Sequence, residues 1–447
     1  MKKLYFILAV AILIGCQTKN ESVEVLQINS HPAWIMQGNI YEVNVRQYTP
    51  EGTFNAFAKH LDRLKEMGVQ TLWFMPINPI SKKDRKGTLG SYYAVSSYTS
   101  TNPEFGTMSD WKNLVNTIHE KGMKVIIDWL PNHTGADHPW LINHPDFYTK
   151  DKDGNPAVMM DWTDTRQLDY HNPVMEDSMI ASMKYWITNS SIDGFRCDVA
   201  WNVPGSFWSK CISQLKELSG DIFMLAEGDN PYLHKSGFDA TYPWAMFHMM
   251  EKIAKGERPA FALDSVKQKF DTAYVKTAIE MYFTSNHDEN SWNKADYGSF
   301  PGSVHAPFAV LTQTMVRGVP LIYSGQEEPV LRGIQFFEKD PMTFEKLERA
   351  SFYKILLELR KRNQALSADA TFAKVDAGNK NAIYAFVRER DGKKVLVILN
   401  LSNKEQTVVV ADKNLSGKVH NVFGAKEETL NDQPTSMAAW AYAVYEY

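Results

Sequence analysis

Four stretches, far apart in the chain, each set charged residues at the end of an apolar run. KVIIDWLPNH (124–133) carries Asp128, Asn132 and His133, and GFRCDVAWN (194–202) carries Arg196 and Asp198. IFMLAEGDN (222–230) carries Glu227, and EMYFTSNHDE (280–289) carries Asn286, His287 and Asp288. Strand residues two apart point to the same side, so Arg196 and Asp198 face one another's surroundings. Burying a cation and an anion together is costly unless each is paired and hydrogen-bonded. Carboxylates at close quarters split their pKa values. One held ionised by Arg196 can attack, and another held protonated can donate. Glycoside hydrolysis needs that division of labour: one carboxylate attacks the anomeric carbon and the other protonates the leaving oxygen. The histidines lack H-E-x-x-H or similar spacing, so no metal is assigned to the site.

The elements between these stretches alternate. NIYEVNVRQY (39–48) reads as a strand. TFNAFAKHLDRLKEMG (53–68) reads as a helix with Phe54, Phe57, Leu61 and Leu64 on one face, Thr53 at its start and Gly68 at its end. Strands follow at 69–75, 124–130, 192–199, 222–227, near 237–240, at 280–285 and at 320–325. Helical patterns between and after them end with 343–364. Eight strand-helix units predict an α/β fold, a closed (β/α)₈ TIM barrel over about 33–366, whose active site lies at the C-terminal strand ends. No G-x-G-x-x-G follows the first strand, which counts against a dinucleotide fold. The long connection after strand three predicts a short insert at about 134–173. KKDRKG (82–87), in the connection after strand two, reads as a solvated loop tip. NAIYAFVRERDGKKVLVILNLS (381–402) is a hairpin turning at Asp391-Gly392, so 367–447 is expected to be a C-terminal antiparallel β-sandwich domain.

The 447 residues carry a net charge of −4 with no long basic run, which gives nucleic-acid binding no electrostatic support. The first residues read as an export signal: MKK precedes an apolar run, LYFILAVAILI, too short to span a bilayer. LIGC (13–16) is similar to a bacterial lipobox. Residues 1–15 are then a lipoprotein signal peptide, Cys16 the lipidated residue and 16–32 a tether to the cell envelope; an ordinary cleaved leader is the alternative. Cys197 and Cys211 provide no disulfide framework and are expected as packed thiols.

Taken together, these stretches resemble the α-amylase family, glycoside hydrolase family 13. DWLPNH is similar to its D-x-x-x-N-H segment, GFRCD to its G-F-R-x-D segment, LAEGDNP to the segment of the general acid, and FTSNHDE to its N-H-D segment. SYYAVSSYTSTNPEFGT (91–107), LDYHNP (168–173) and GQE (325–327) match further segments in the family's order. The resemblance implies Asp198 as nucleophile, Glu227 as general acid and Asp288 as transition-state stabiliser. It implies substrate contacts from Tyr93, His133, Arg196 and His287, with the two histidines as neutral or cationic donors. Asp128 and Asn132 would brace them from behind, Asp128 against Arg196. The implied substrate is an α-1,4-glucan or maltooligosaccharide. Same-family alternatives are a cyclomaltodextrinase, a neopullulanase, an α-1,6-glucosidase or a transglycosylase; a non-catalytic glucan-binding protein is the remote one. No cofactor is required for the chemistry. A structural calcium on Asn132 lacks support, because Ala200, Trp201 and Asn202 stand where many members carry Lys-His after the nucleophile. The family's D-x-N-x-D-G metal loop is also absent. Trp140, Trp162 and Trp201 lie in or near the site loops, where stacking on sugar and plain packing are both open.

Overall fold

Short apolar runs rich in β-branched and aromatic residues become strands when helices cover them on the outside. Eight such runs close a parallel barrel in a computed structural model that describes residues 31–447. The barrel strands are β1 (Ile40–Val43), β2 (Thr71–Phe74), β3 (Lys124–Trp129), β4 (Gly194–Cys197), β5 (Phe223–Ala226), β6 (Ala240–Thr241), β7 (Ile279–Tyr282) and β8 (Gly318–Tyr323). Each pairs with its sequence neighbour, and β1 pairs with β8. The expected signal peptide, the expected lipidation at Cys16 and most of the expected tether fall outside the described residues. Within the expected 16–32 tether, His31 is docked, its ring nitrogens 3.0 Å from Asp239 Oδ1 and 2.6 Å from the Thr277 carbonyl oxygen.

Two elements are broken where alternation and helical periodicity read as continuous. The first strand stops at Val43, and Val45–Tyr48 forms a helical turn. The turn aims two buried polar side chains at other loops. Arg46 donates to the Leu89 and Gly90 carbonyls, and Gln47 Nε2 to the Gln335 and Glu338 carbonyls. The 53–68 helix is two helices, Phe54–Ala58 and Leu61–Met67. Its ends are as expected: Thr53 Oγ1 accepts from Ala56 N at 3.2 Å, and Gly68 adopts φ 99°.

After the barrel, a six-stranded antiparallel sheet runs β9 (Thr371–Val375), β10 (Ile383–Arg390), β11 (Lys393–Asn400), β16 (Tyr442–Glu446), β13 (Gly417–Asn421), β14 (Lys426–Leu430). A two-stranded ribbon pairs β12 (Gln406–Val408) with β15 (Thr435–Met437). The expected sandwich is therefore lopsided. One face of the large sheet, with Tyr384, Phe386, Val395 and Val397, shares a core with barrel residues such as Phe308 and Leu356. The other face packs Ile383, Leu396 and Ile398 against Val408 and Met437 near the ribbon. Arg388 joins the two bodies from β10: it is fully buried and donates to the Thr314, Ser367 and Thr371 carbonyls. Both remaining cysteines are buried and free.

Gly194 opens the strand that carries Arg196. A Cβ there would sit 2.1 Å from the Phe223 carbonyl oxygen of β5, a backbone atom that cannot move aside. Gly194→Ala is therefore expected to destabilise the protein by about 3 kcal/mol or more through overpacking. Gly220, with nothing within 4 Å of its own Cβ position, serves as the control. Thermal unfolding should fall for Gly194→Ala and stay near wild type for Gly220→Ala; equal midpoints contradict the assigned packing.

Candidate active site

Register makes the first contact. β3 and β4 pair Asp128 directly with Arg196, so the two side chains leave adjacent strands on the same side. Arg196 is fully buried. Nη1 donates to Asp128 Oδ1 at 2.9 Å and to Asp198 Oδ1 at 2.8 Å, Nε donates to the Tyr242 hydroxyl at 3.0 Å, and Nη2 lies 3.3 Å from Glu227 Oε2. The rings of Trp73 and Tyr242 flank the guanidinium at 5.2 and 5.5 Å. Desolvating an ion costs several kcal/mol, and only excellent pairing offsets it. Three carboxyl groups and a phenol supply that pairing.

Beyond Asp198 the backbone turns sharply. Val199 adopts φ 47°, ψ 35°, a conformation strongly disfavoured for a β-branched residue. The turn aims the Val199 N–H at Glu227 Oε2, 2.7 Å away, while Asp198 N donates to the Trp129 carbonyl at 2.8 Å. Strain in one residue thus fixes the nucleophile candidate and the acid candidate relative to each other. Burial, and then the Glu227 carboxylate, push the Asp198 carboxyl well above its usual range, while Arg196 pulls it back. Two carboxyl groups so placed hold one shared proton more readily than two negative charges.

A second cation sits opposite. His287 Nδ1 lies 2.5 Å from Glu42 Oε1, and Nε2 lies 2.7 Å from the Tyr93 hydroxyl and 3.4 Å from Asp288 Oδ2. Burial disfavours its charge, but Asp288 and Glu42 prevail and push its pKa up to about 9. His287 is thus the cationic one of the two histidines. The Tyr93 hydroxyl donates onward to Asp128 Oδ2 at 2.9 Å, closing a chain from Glu42 to Arg196. Glu42 and Tyr242 escaped the sequence reading. Glu42 had a readable signal, a carboxylate inside the apolar strand NIYEV, of the same kind that flagged Arg196.

His133 behaves differently. Burial lowers its pKa to about 4, so it is neutral. Nε2–H donates to the Tyr93 carbonyl at 3.0 Å, and Nδ1 accepts from Asn132 Nδ2 at 3.1 Å. Both ring nitrogens are committed to the protein, so His133 borders the cavity without a free donor. Asn132 Oδ1 accepts from Asn202 Nδ2 at 2.8 Å, with Met159 Sδ 3.4 Å from Asn132 Nδ2. An amide donor and a thioether do not fit a hard cation that requires oxygen ligands. The expected doubt about calcium at Asn132 thus has a donor-set reason, and no step is assigned to a metal.

These groups line one cavity of about 630 Å³, which holds Asp198, Glu227, Asp288, Tyr93, His133 and His287. That volume is in the range of small-ligand sites. Trp162 and Trp201 also line it, while Trp140 packs against Tyr98 and, within the insert, against His138 and Phe147. The 82–87 loop is exposed at Lys82, Lys83, Asp84 and Gly87, as its charge indicated, but it is tied down. Asp137 accepts from the Lys82 and Lys83 backbone, Arg166 reaches Asp84, and Lys86 enters the cavity wall.

Protonated His287 contributes stability that is fully present below its ordinary value of about 6.5 and is lost as pH rises through about 9. Glu42→Gln removes one of the two carboxylates that raise this value. The imidazole midpoint followed by NMR should therefore move down; a midpoint still near 9 contradicts the pairing.

The model of the "Alpha amylase, catalytic domain" family matches residues 31–155 and 157–350, and that of the "Alpha-amylase SusG C-terminal domain" matches 383–443. "Alpha-amylase MalA" of Haloarcula japonica is 25% identical over 397 residues, covering 84% of this chain and 57% of that protein. The "Cyclomaltodextrinase" of a Bacillus species is 25% identical over 433 residues, covering 83% and 73%. Among solved structures, the "noncanonic maltogenic alpha-amylase AmyB" of Thermotoga neapolitana superimposes with a TM-score of 0.83 at 25% identity, covering 92% of this chain and 99% of that one. With a family model spanning most of its length and the barrel's charged strand ends gathered in one cavity, the chain belongs to the α-amylase family of glycoside hydrolases.

Proposed function

We propose that the protein is a retaining α-glucan hydrolase that cleaves α-1,4-glucosidic bonds of starch or maltooligosaccharides by double displacement. The observation that carries this reading is the buried guanidinium of Arg196 standing behind the cavity wall against both Asp198 and Glu227, which line one cavity with Asp288 and Tyr93; buried there, Arg196 does not make the direct substrate contact the resemblance implied. Asp198 attacks the anomeric carbon, forming an ester as the C1–O bond breaks. Glu227 gives its proton to the departing oxygen. Its Oε2 is committed to the Val199 N–H, so the transferable proton belongs on Oε1. Glu227 then takes a proton from water as the water oxygen attacks C1 and frees Asp198.

Electrostatics favour the charge that develops between these steps. Five carboxyl groups (Glu42, Asp128, Asp198, Glu227, Asp288) surround two cations, Arg196 and His287. The surplus of negative charge is fixed before substrate arrives, so it stabilises an oxocarbenium-like state with little reorganisation. Tyr93, stacked on His287 at 5.4 Å and 17°, is placed to offer its ring to the sugar beside the scissile bond. The same groups serve cyclodextrin, pullulan and α-1,6 substrates and transfer reactions, which differ in what the outer cleft accepts.

The N-terminal LIGC sequence supports a lipid anchor on Cys16 in a bacterial envelope. Labelled palmitate should enter the wild-type protein in cells and not Cys16→Ala; label in both removes the anchor assignment.

Release of reducing ends from amylose tests the chemistry. Asp198→Asn should lose about 10⁴-fold or more in turnover. Glu227→Gln should lose about 10²–10⁴-fold on natural glucans, with a smaller loss on glycosides whose leaving group needs no proton. Near wild-type turnover in Asp198→Asn, or an equal loss on both substrate classes in Glu227→Gln, contradicts the roles assigned.

A further inference from the structure

The exposed 82–87 loop and the residues after it, to 90, form a strap between the insert and the segment after β8. On one side it is tied to the insert. Lys82 N and Lys83 N donate to Asp137 Oδ2 at 2.7 and 3.1 Å, Arg166 Nη2 to Asp84 Oδ2 at 2.7 Å, and Lys86 Nζ to the Asp161 carbonyl at 2.8 Å. On the other side it is tied to the segment after β8. Thr88 N donates to Glu338 Oε1 at 2.9 Å, and Leu89 N to the Phe337 carbonyl at 3.0 Å. The fit is close: Gly87 adopts φ 62°, and a Cβ there would stand 2.5 Å from Phe337 Cβ. From beneath, Arg46 holds the Leu89 and Gly90 carbonyls.

Two polar groups of this wall are incompletely used. Lys86 lines the cavity with one of its three N–H donors on Asp161 and its Nζ 3.9 Å from Asp164 Oδ1. Asp164, 3% exposed and also in the cavity lining, has an Oδ2 without a hydrogen-bond partner among the described residues. A buried acceptor left unpaired costs free energy unless a ligand fills it. A donor beside an unpaired acceptor is complementary to a hydroxyl group, which accepts and donates at once.

The strap's end of the cleft can be assigned. Glu227 protonates the leaving oxygen, so the departing part of the glucan lies on its side, bordered by Trp201, whose Cβ is 3.1 Å from the Cβ position of Gly228. The other direction runs from Tyr93 to Phe336, stacked at 6.1 Å and 17°, and on to Phe337, Trp292 and the strap. That is the glycone side, which keeps the non-reducing part of the chain.

Resting on the hydrolase reading above, we infer that the 82–90 strap closes the glycone end of the cleft, so that the enzyme works from the non-reducing ends of α-glucans, with Lys86 and Asp164 binding hydroxyl groups of the terminal glucosyl unit. A chain that continued past the strap would have to pass through it.

The test compares a p-nitrophenyl maltoheptaoside with a free non-reducing end and the same compound blocked there by a 4,6-O-ethylidene group. Wild type should favour the free-ended compound strongly. Lys86→Ala and Asp164→Asn should each reduce that preference about tenfold, the scale of one charged hydrogen bond. On amylose, one short product should dominate from the earliest times, with iodine staining falling slowly per reducing end released. Equal wild-type rates on the free and blocked compounds, or a broad product mixture with rapid loss of staining, overturn the strap's role while leaving the hydrolase reading intact. An unchanged preference in both variants removes Lys86 and Asp164 from end recognition. Failure of wild type to release reducing ends from any α-glucan overturns the hydrolase reading, and this inference with it.

Discussion

The structure depends on the solvation of one buried charge. Arg196 gives up water entirely, and its guanidinium is resolvated by Asp128, Asp198 and the Tyr242 hydroxyl, with Glu227 close by. Arginine suits the position: it stays charged when buried, and its planar fork presents several donors in fixed directions. Every one of its partners comes from a different barrel element or turn. The demand that this cation be paired therefore locks the ends of β3, β4, β5 and β6 into one arrangement, and that arrangement frames the candidate active site.

Around this pair the fold spends stability on geometry. Val199 stands in a disfavoured backbone conformation, and a β-branched residue there is held only by what surrounds it. Asp128 and Glu42 are buried carboxylates with no evident chemical step of their own. They pair the two cations of the site: Asp128 holds Arg196, which lies buried behind the cavity lining, and Glu42 holds His287, which lines it, through a 2.5 Å contact, with Tyr93 bridging the two. The barrel makes this affordable, because its apolar layers, from Ile126 and Trp73 inside to Phe195 and Trp129 outside, hold the strands regardless of what their ends carry.

Much of this was legible in the sequence for a physical reason. Charges at the ends of apolar runs are rare enough to mark strand ends that face one another, and Asp128, Arg196, Asp198, Glu227, His287 and Asp288 all carried that mark. The Asp128–Arg196 contact followed once β3 and β4 were neighbours. What stayed hidden depends on contacts distant in the chain. Glu42 carries the same mark, a carboxylate inside an apolar strand, but its partner His287 is set by a contact 245 residues away. Two histidines of similar local sequence diverge because Asp288 and Glu42 face one, while only a carbonyl and an amide face the other. KKDRKG has the composition of a solvated tip, and its docking rests on partners at 137, 161 and 166 that no local pattern announces. The break at Val43 has the same origin, since Arg46 and Gln47 are turned by loops nearly 300 residues away.

The central claim is that Asp198, held by Arg196 beside Glu227, bonds to the sugar during turnover. A fluorinated α-glucosyl fluoride that forms the ester quickly and releases it slowly would trap that state. Mass spectrometry of the digested protein should then find one added sugar, on the peptide containing Asp198. A sugar on the peptide of Asp128 or Asp288 instead, or no covalent adduct while the reagent is turned over with inversion at C1, would contradict the account.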